Sequence, residues 1–493
     1  MPDVRAAGNA VRPAAAIVLA AGAGTRMKSA VPKVLHEIGG RSLVAHAVHA
    51  VAALDPEHLV VVVGHGGAEV RAQLEGLSAE LGRPVLAAEQ PQQLGTGHAV
   101  RCGLDALPAD LDGPVVVTYG DVPLLEPATL DGLLAGHTGA VTVLTTELDD
   151  PSGYGRIVRA ADGTVTAIVE HRDATPDQLA IREMNSGIYA FDGAFLDAGL
   201  GKLDAGNDQG ELYLTDLVAI ARADHRDVHA VGCADEWQVL GVNDRVQLAA
   251  LGAELNRRVL ERWMRSGVTV VDPATTWVDV QVQLARDVVL RPGTQLHGAT
   301  TAEEGAQIGP DTTLTDCTIG AGATVTRTHG SESVISAGAT VGPFAYLRPG
   351  TTLGERGKIG TFVEVKNAQI GAGSKVPHLS YVGDATIGES SNIGAGSLFA
   401  NYDGVRKHRS VIGSHVKGGC DNTFVAPVEV GDGAVVGAGA VIRQDVPPGA
   451  LAVSAVSQRI IEGWVVEKRP GTPAAEAAIR AAASAENGGG TAR

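Results

Sequence analysis

Two hydrophobic rhythms divide this chain. In its first half, short Val-rich apolar runs at 15–19, 59–63 and 115–118 alternate with stretches of helical spacing at 42–54, 98–107 and 127–134. Continuous apolar runs of that length suit strands covered on both faces, so the alternation predicts a mostly parallel sheet between two helical layers. Ligands of such sheets bind beyond the carboxyl ends of the strands, where the loops gather. Over 243–266, Leu248, Leu251, Leu255, Val259 and Trp263 recur every three or four residues with charges between them. That spacing predicts an amphipathic helix, placed as an arm between two domains.

After Gly267 the period becomes six. Ile370, Val376 and Val382 keep it, as do Ile387 and Ile393, and again Val430, Val436 and Ile442. One inward aliphatic per six residues, followed by small residues as in Ile387-Gly388 and Ile412-Gly413, fits one flat side of a triangular β-coil. Three such units close a turn of about eighteen residues. Near 399–410 the period breaks, which predicts a loop thrown out from the coil. From Pro470 the chain is rich in Ala and Gly and reads as disordered or weakly helical.

Composition sharpens this picture. A chain of 493 residues exceeds one compact core. Its 64 glycines and 3% aromatics match a repetitive β architecture with many tight corners. A net charge of −17 argues against a nucleic-acid or acidic-membrane binder, though not against phosphate ligands, which respond to local groups. Cys102, Cys233, Cys317 and Cys420 show no paired spacing, so neither a zinc site nor a disulfide framework is expected. The apolar stretch 14–21 runs directly into a glycine loop and reads as a buried strand, not a leader. No run reaches membrane-spanning length, and the expected compartment is the cytoplasm.

Leu19-Ala20-Ala21-Gly22-Ala23-Gly24-Thr25-Arg26-Met27 lies where the first strand passes into a loop. Glycines there let backbone N–H groups approach a phosphate, Arg26 offers a planar fork, and Lys33 adds a second cation. Neither the third glycine of a dinucleotide loop nor the Gly-Lys-Ser/Thr of a P-loop is present. With Pro32-Lys33-Val34-Leu35, this segment resembles the opening signature of sugar-nucleotide pyrophosphorylases. More closely, the chain resembles the bifunctional N-acetylglucosamine-1-phosphate uridyltransferase/glucosamine-1-phosphate acetyltransferase (GlmU) family. The resemblance runs through Gln93-Leu94-Gly95-Thr96-Gly97-His98-Ala99, Tyr119-Gly120-Asp121, Gly153-Tyr154-Gly155-Arg156, Ile168-Val169-Glu170-His171, Asn185-Ser186-Gly187, Glu211-Leu212-Tyr213 and Gly241-Val242-Asn243.

That resemblance implies a Rossmann-like α/β nucleotidyltransferase domain with a mostly parallel sheet at 1–242. A helical linker at 243–267, a left-handed parallel β-helix of hexapeptide repeats at 268–455 and a tail at 456–493 would follow. It implies acetyl transfer from acetyl-CoA to glucosamine-1-phosphate, then uridylyl transfer from UTP with release of pyrophosphate, supplying UDP-N-acetylglucosamine for peptidoglycan and other envelope precursors. Because both reactants of the second step are anionic, Mg²⁺ is expected, with Asp121 and Asn243 as its implied ligands. Leu19, Ala20, Ala21, Gly22, Gln90, Gly95 and Thr96 would hold the uridine nucleotide. Lys33 would meet the phosphates and Arg26 the leaving pyrophosphate, while Gly155, Glu170 and Asn185 would hold the sugar. Asp244 stands where the family often has a second Asn, which adds negative charge near the metal.

On the coil, Arg348, Lys366, His378, Tyr381 and Asn392 recur at loosely stacked intervals. Arg348 and Lys366 are eighteen residues apart, whereas His378 and Asn392 are only fourteen apart. Histidine, with an ordinary pKa of about 6.5, can take the proton of a reacting amine, and the resemblance makes His378 that general base. It gives Arg348 and Lys366 to the sugar phosphate and Tyr381 and Asn392 to the sugar. Asn401 and Tyr402 would lie near the acetyl group, with Ala395, Cys420, Ala438 and Trp464 along acetyl-CoA. Cys420 replaces the family's usual Ser, and Ala455 stands where some relatives carry Arg. The family's coils assemble as homotrimers. Two rivals, a pyrophosphorylase with a purely structural coil and a scaffold without chemistry, are disfavoured because Asp121, Lys33 and the His378 constellation all remain.

Overall fold

The structure is a computed structural model that describes residues 11–64, 67–109, 111–207, 209–454 and 458–487. The chain forms two compact units, Met1–Pro349 and Gly350–Arg493. The first opens with a nine-stranded sheet. Its order runs Val228–Gly232, Val141–Glu147, Glu183–Asp192, Pro114–Tyr119, Ala15–Ala20, His58–Gly64, Leu86–Gln90. The last four strands are mutually parallel, and Glu183–Asp192 is inserted antiparallel to both of its neighbours. A hairpin of Arg156–Arg159 and Val165–Val169 pairs onto that inserted strand.

Strand period explains the two-faced core. Ala16, Val18 and Ala20 feed one apolar cluster with the helix Leu43–Ala52, while Ala15, Ile17 and Leu19 feed another with the helix Thr96–Asp105. Burying both faces requires the continuous Val-rich runs seen in the sequence.

The expected arm is the helix Arg245–Arg265. Asp244 caps it, its carboxylate accepting from the amides of Val246 and Gln247 at 2.9 Å each. Arg258 bonds Glu254 one turn back on this helix and ties the helix to Asp235, which lies beyond the sheet. On its other side, Asn256 donates to the Thr276 carbonyl at 2.8 Å and accepts from the Val278 amide at 3.1 Å. Beyond it the β-coil begins, with Trp277 in register with Gln295 and Gln283 with Thr301.

The second unit carries the same parallel coil, built of strands from Thr351–Leu353 to Leu451–Ala452. The fold is a left-handed parallel β-helix. Its inward column includes Ile359, Val376, Ile393 and Val416, all fully buried. Some turns of the second unit keep eighteen residues, as where Ser410 faces Val428 and Lys417 faces Val435, and others depart from it. Lys358 faces Lys375 and Glu364 faces Tyr381, a step of 17, because one corner is a residue tighter. Leu398 faces Thr423, a step of 25, because the loop around Tyr402–Lys407 is thrown out there. Past the coil, Trp464–Lys468 and Pro473–Asn487 are helices that pack on each other. Ala455 lies outside the described residues.

Candidate functional site

The carboxyl ends of the parallel strands open onto a pocket of about 330 Å³. Leu19, Ala20, Ala21 and Gly22 line it from the first strand and its loop, and Gln90, Gly95 and Thr96 from the strand–helix connection. Lys33, Asp121 and Asn243 complete its polar side. Lys33 Nζ forms an ion pair with the Asp121 carboxylate, both side chains being largely buried. Arg26, on a short 3₁₀ turn, donates to Asn243 Oδ1 at 2.8 Å. Two cations and two oxygen donors therefore converge on one cleft, with a glycine loop beside them.

Asp121 and Asn243 offer only hard oxygen atoms. Among the described residues, no cluster of three or more His, Cys, Asp or Glu could hold a metal by itself. One carboxylate and one amide oxygen nevertheless fit a small hard cation that takes its remaining ligands from substrate phosphates and water. Asp244 points its carboxylate at the helix amides, so the extra negative charge expected at this position is engaged in capping.

Gly155, Glu170 and Asn185 form a second group. Asn185 donates its amide to the Gly155 carbonyl at 2.9 Å, and a Cβ on Gly155 would lie 3.6 Å from both Glu170 Oε1 and Asn185 Cβ. Burial pushes the Glu170 carboxyl up, opposed by a bond from Thr215 and reinforced by the nearby acidic groups. Tyr119 bridges the two groups: it lines the pocket, and its hydroxyl, raised chiefly by burial, also feels Glu170 and Asp121. Gly187, at φ +77°, makes room for it, since a Cβ there would stand 2.2 Å from Tyr119 Cε2.

Gln93, Tyr119 and Glu211 line the pocket although the residue types alone did not single them out. Gln93 donates to the Ala21 carbonyl at 2.8 Å. Glu211 arrives because Leu212 donates to Leu94 O and accepts from Gly97 N, folding a distant segment across the loop. Their presence in the quoted motifs was the available signal.

In the first unit Arg348 follows the strand Ala345–Leu347, and its carbonyl accepts from Ser333 Oγ at 3.4 Å. In the second unit, Lys366 faces Gly383 and Tyr381 faces Glu364 on adjacent turns. His378 ends the strand Lys375–His378 with an exposed ring. The seventeen-residue step puts Asn392 in the column of Lys375, three positions along from His378, so those two do not stack. Asn401 donates to Asp384 Oδ2 at 2.5 Å and lies 3.4 Å from the Tyr381 hydroxyl. Tyr402 starts the outward loop, its hydroxyl donating to Gly404 O. Ala395, Cys420 and Ala438 follow glycines stacked turn upon turn. A Cβ on Gly394 would meet Gly419 O at 1.9 Å, and one on Gly419 would meet Ala438 N at 2.5 Å. The three residues thus form one column along an edge of the coil. Trp464 stacks under Arg469, 5.2 Å from its ring centroid, on the tail helix.

A glycine-loop pocket at the strand ends with paired cations and oxygen donors defines a nucleotidyltransferase, here joined to a hexapeptide coil. Residues 16–182 match the family model of the MobA-like NTP transferase domain. Along its whole length the chain is similar to the bifunctional protein GlmU of Rhodococcus opacus, 63% identical over 473 residues and 95% of each chain. The bifunctional protein GlmU of Kineococcus radiotolerans is 62% identical, again over 95% of each. The inositol-1-phosphate CTP transferase from T. maritima covers 50% of this chain and 96% of its own, at TM-score 0.40 and 17% identity. The chain belongs to the GlmU family. It is a bifunctional enzyme of UDP-N-acetylglucosamine synthesis, a uridyltransferase and an acetyltransferase that uses a metal ion and acetyl-CoA. Among the described residues, no helix is long and apolar enough to cross a membrane.

Proposed function

We propose that the sheet pocket performs uridylyl transfer to N-acetylglucosamine-1-phosphate and the coil performs acetyl transfer to glucosamine-1-phosphate. On this reading the functional parts are 1–242, a linker 243–267, a coil 268–455 and a tail 456–493. The observation that carries it is the convergence of Lys33–Asp121 and Arg26–Asn243 on one glycine-loop cleft.

Asp121 and Asn243 would hold Mg²⁺, which when bound neutralises developing phosphate charge. Lys33 and Arg26 then exchange their present partners for phosphate oxygens. Lys33 supports the nucleotide phosphates, and Arg26 the departing pyrophosphate. Leu19, Ala20, Ala21, Gly22, Gln90, Gly95 and Thr96 frame the nucleotide, while Gly155, Glu170 and Asn185 orient the acceptor sugar. Attack by the sugar-phosphate oxygen on the α-phosphorus forms one P–O bond as that to pyrophosphate breaks.

On the coil, His378 accepts a proton from the glucosamine nitrogen as that nitrogen attacks the acetyl thioester, and the CoA thiolate leaves. Arg348 and Lys366 hold the sugar phosphate, Tyr381 and Asn392 the sugar. Asn401 and Tyr402 face the acetyl group, with Ala395, Cys420, Ala438 and Trp464 along acetyl-CoA. A cytoplasmic homotrimer completes the proposal.

One incubation tests both halves. UDP-N-acetylglucosamine should appear only when glucosamine-1-phosphate, acetyl-CoA, UTP and Mg²⁺ are all present. His378→Ala should abolish acetyl transfer alone, and Asp121→Ala uridylyl transfer alone. Pyrophosphate release at the normal rate by Asp121→Ala would refute the assignment of the clamp.

A further inference from the structure

We propose that Asp384 is a positioning residue of the acetyl-transfer site, holding the Asn401 amide and the Tyr381 hydroxyl in a convergent arrangement beside the lysine that receives the sugar phosphate. This rests on reading Lys366, Tyr381 and Asn401 as substrate-binding groups. Asp384 lies in the strand Tyr381–Ile387, only 8% exposed, at a depth where an unpaired carboxylate is costly. Both of its oxygens are taken by side chains. Asn367 Nδ2 donates to Oδ1 at 2.7 Å, and Asn401 Nδ2 donates to Oδ2 at 2.5 Å. The same Asn401 amide lies 3.4 Å from the Tyr381 hydroxyl. One carboxylate thus fixes Asn401 directly and Tyr381 through it.

Charge gives the arrangement a purpose beyond shape. The charges of Lys366 and Lys407 both act on Asp384. Burial alone would push its carboxyl up, but the bonds from Asn367 and Asn401 and the two lysines hold it below the usual carboxylate range. Lys407, on the outward loop, approaches Lys366 closely enough for that neighbour to pull it below the ordinary lysine range, with Asp384 and Tyr381 opposing the pull. Two ammonium groups so close repel each other and tend to lose a proton or swing apart. A fixed carboxylate nearby favours the charged form of Lys407, and a dianionic phosphate is the ligand such a pair suits. A carboxylate serving only the coil would bond backbone amides at its corners, as Asp432 does with the Ser414 amide. Asp384 spends both oxygens on side chains instead.

The test uses the full chain carrying Asp384→Asn, with Lys366→Ala as a reference. Acetyl transfer is followed against glucosamine-1-phosphate from pH 7 to about 10. The KM for glucosamine-1-phosphate should rise on the order of tenfold, with a smaller change in the KM for acetyl-CoA. The pH at which the KM climbs should move down, because Lys407 has lost the carboxylate that favours its charged form. A merely structural role would not move that limb. Uridylyl transfer by the same preparation should be unchanged. If Lys366→Ala raises the KM while Asp384→Asn leaves the KM and its pH limb unaltered, the inference is overturned and the site reading stands. If neither variant changes the KM, the site reading itself falls. Should Asp384→Asn fail to fold, Asn367→Gly removes one amide from the exposed side at a position whose φ of +44° glycine accepts. It should raise the KM about threefold, and an unchanged KM would overturn the inference equally.

Discussion

Replacing Gly187 by Ala tests whether the aromatic wall of the sheet pocket is set by one missing side chain. The backbone there has φ +77°, and the new Cβ would stand 2.2 Å from Tyr119 Cε2 and 3.0 Å from Cδ2. Ordinary carbon contacts lie at about 3.5–4.0 Å, so the ring edge must retreat by more than about 1 Å. Tyr119 packs against both apolar clusters of the sheet, which leaves little room for that retreat except into the pocket. The left-handed backbone costs about 1–2 kcal/mol and overpacking about 1–3 kcal/mol, together roughly 2–5 kcal/mol. Gly163 supplies the control, since it has φ +86° with nothing within 4 Å of a Cβ, so Gly163→Ala bears the backbone cost alone. Thermal melting of both variants separates the two contributions. At about 2–4 °C per kcal/mol, Gly187→Ala should melt roughly 2–12 °C below Gly163→Ala, and only Gly187→Ala should raise the KM for UTP. Equal melting points and equal KM values would refute the packing argument.

Asn256→Ala removes both bonds that the arm helix makes to Thr276 and Val278, stranding two backbone groups. It should cost about 2–4 kcal/mol, measured as a lowered urea midpoint of the first unit. Glu170 has its carboxyl raised by burial, so its contribution to stability is fully present below the ordinary carboxylate pKa and is lost as pH rises through the raised value. Glu170→Gln should therefore melt above the wild type at neutral pH, with the advantage vanishing below about pH 4, and uridylyl transfer should fall. Parallel pH–melting curves would contradict this. Cys420→Ser should preserve or raise acetyl-transfer turnover, because a hydroxyl is a better hydrogen-bond partner than a thiol at this exposed position. A large loss in a steady-state acetyl-CoA assay would count against it.

Period alone determined the two architectures. Full apolar runs such as Val60, Val61 and Val62 can only be satisfied by a sheet covered on both sides, and aliphatics six apart only by a three-sided coil. The helix Arg245–Arg265 was legible for the same reason, its apolar positions returning to one face. The glycine loop, Lys33 and Asp121 were legible as chemistry, because their residue types and place after strands point to phosphate.

Tertiary structure decided the partners. That Lys33 meets Asp121 and Arg26 meets Asn243 depends on contacts 88 and 217 residues apart, which no local pattern encodes. The antiparallel insertion of Glu183–Asp192 was invisible because a strand covered on both faces is buried along its length whichever way it runs. The turns of 17 residues were hidden likewise: a corner can lose one residue while the inward aliphatics stay on their column, yet every outward side chain there then finds a different neighbour. At those turns Asn392 pairs in the column of Lys375, and Asp384 meets Asn367 and Asn401. Burial follows from hydrophobic rhythm, but which polar groups meet is settled only when turns stack and distant segments cross.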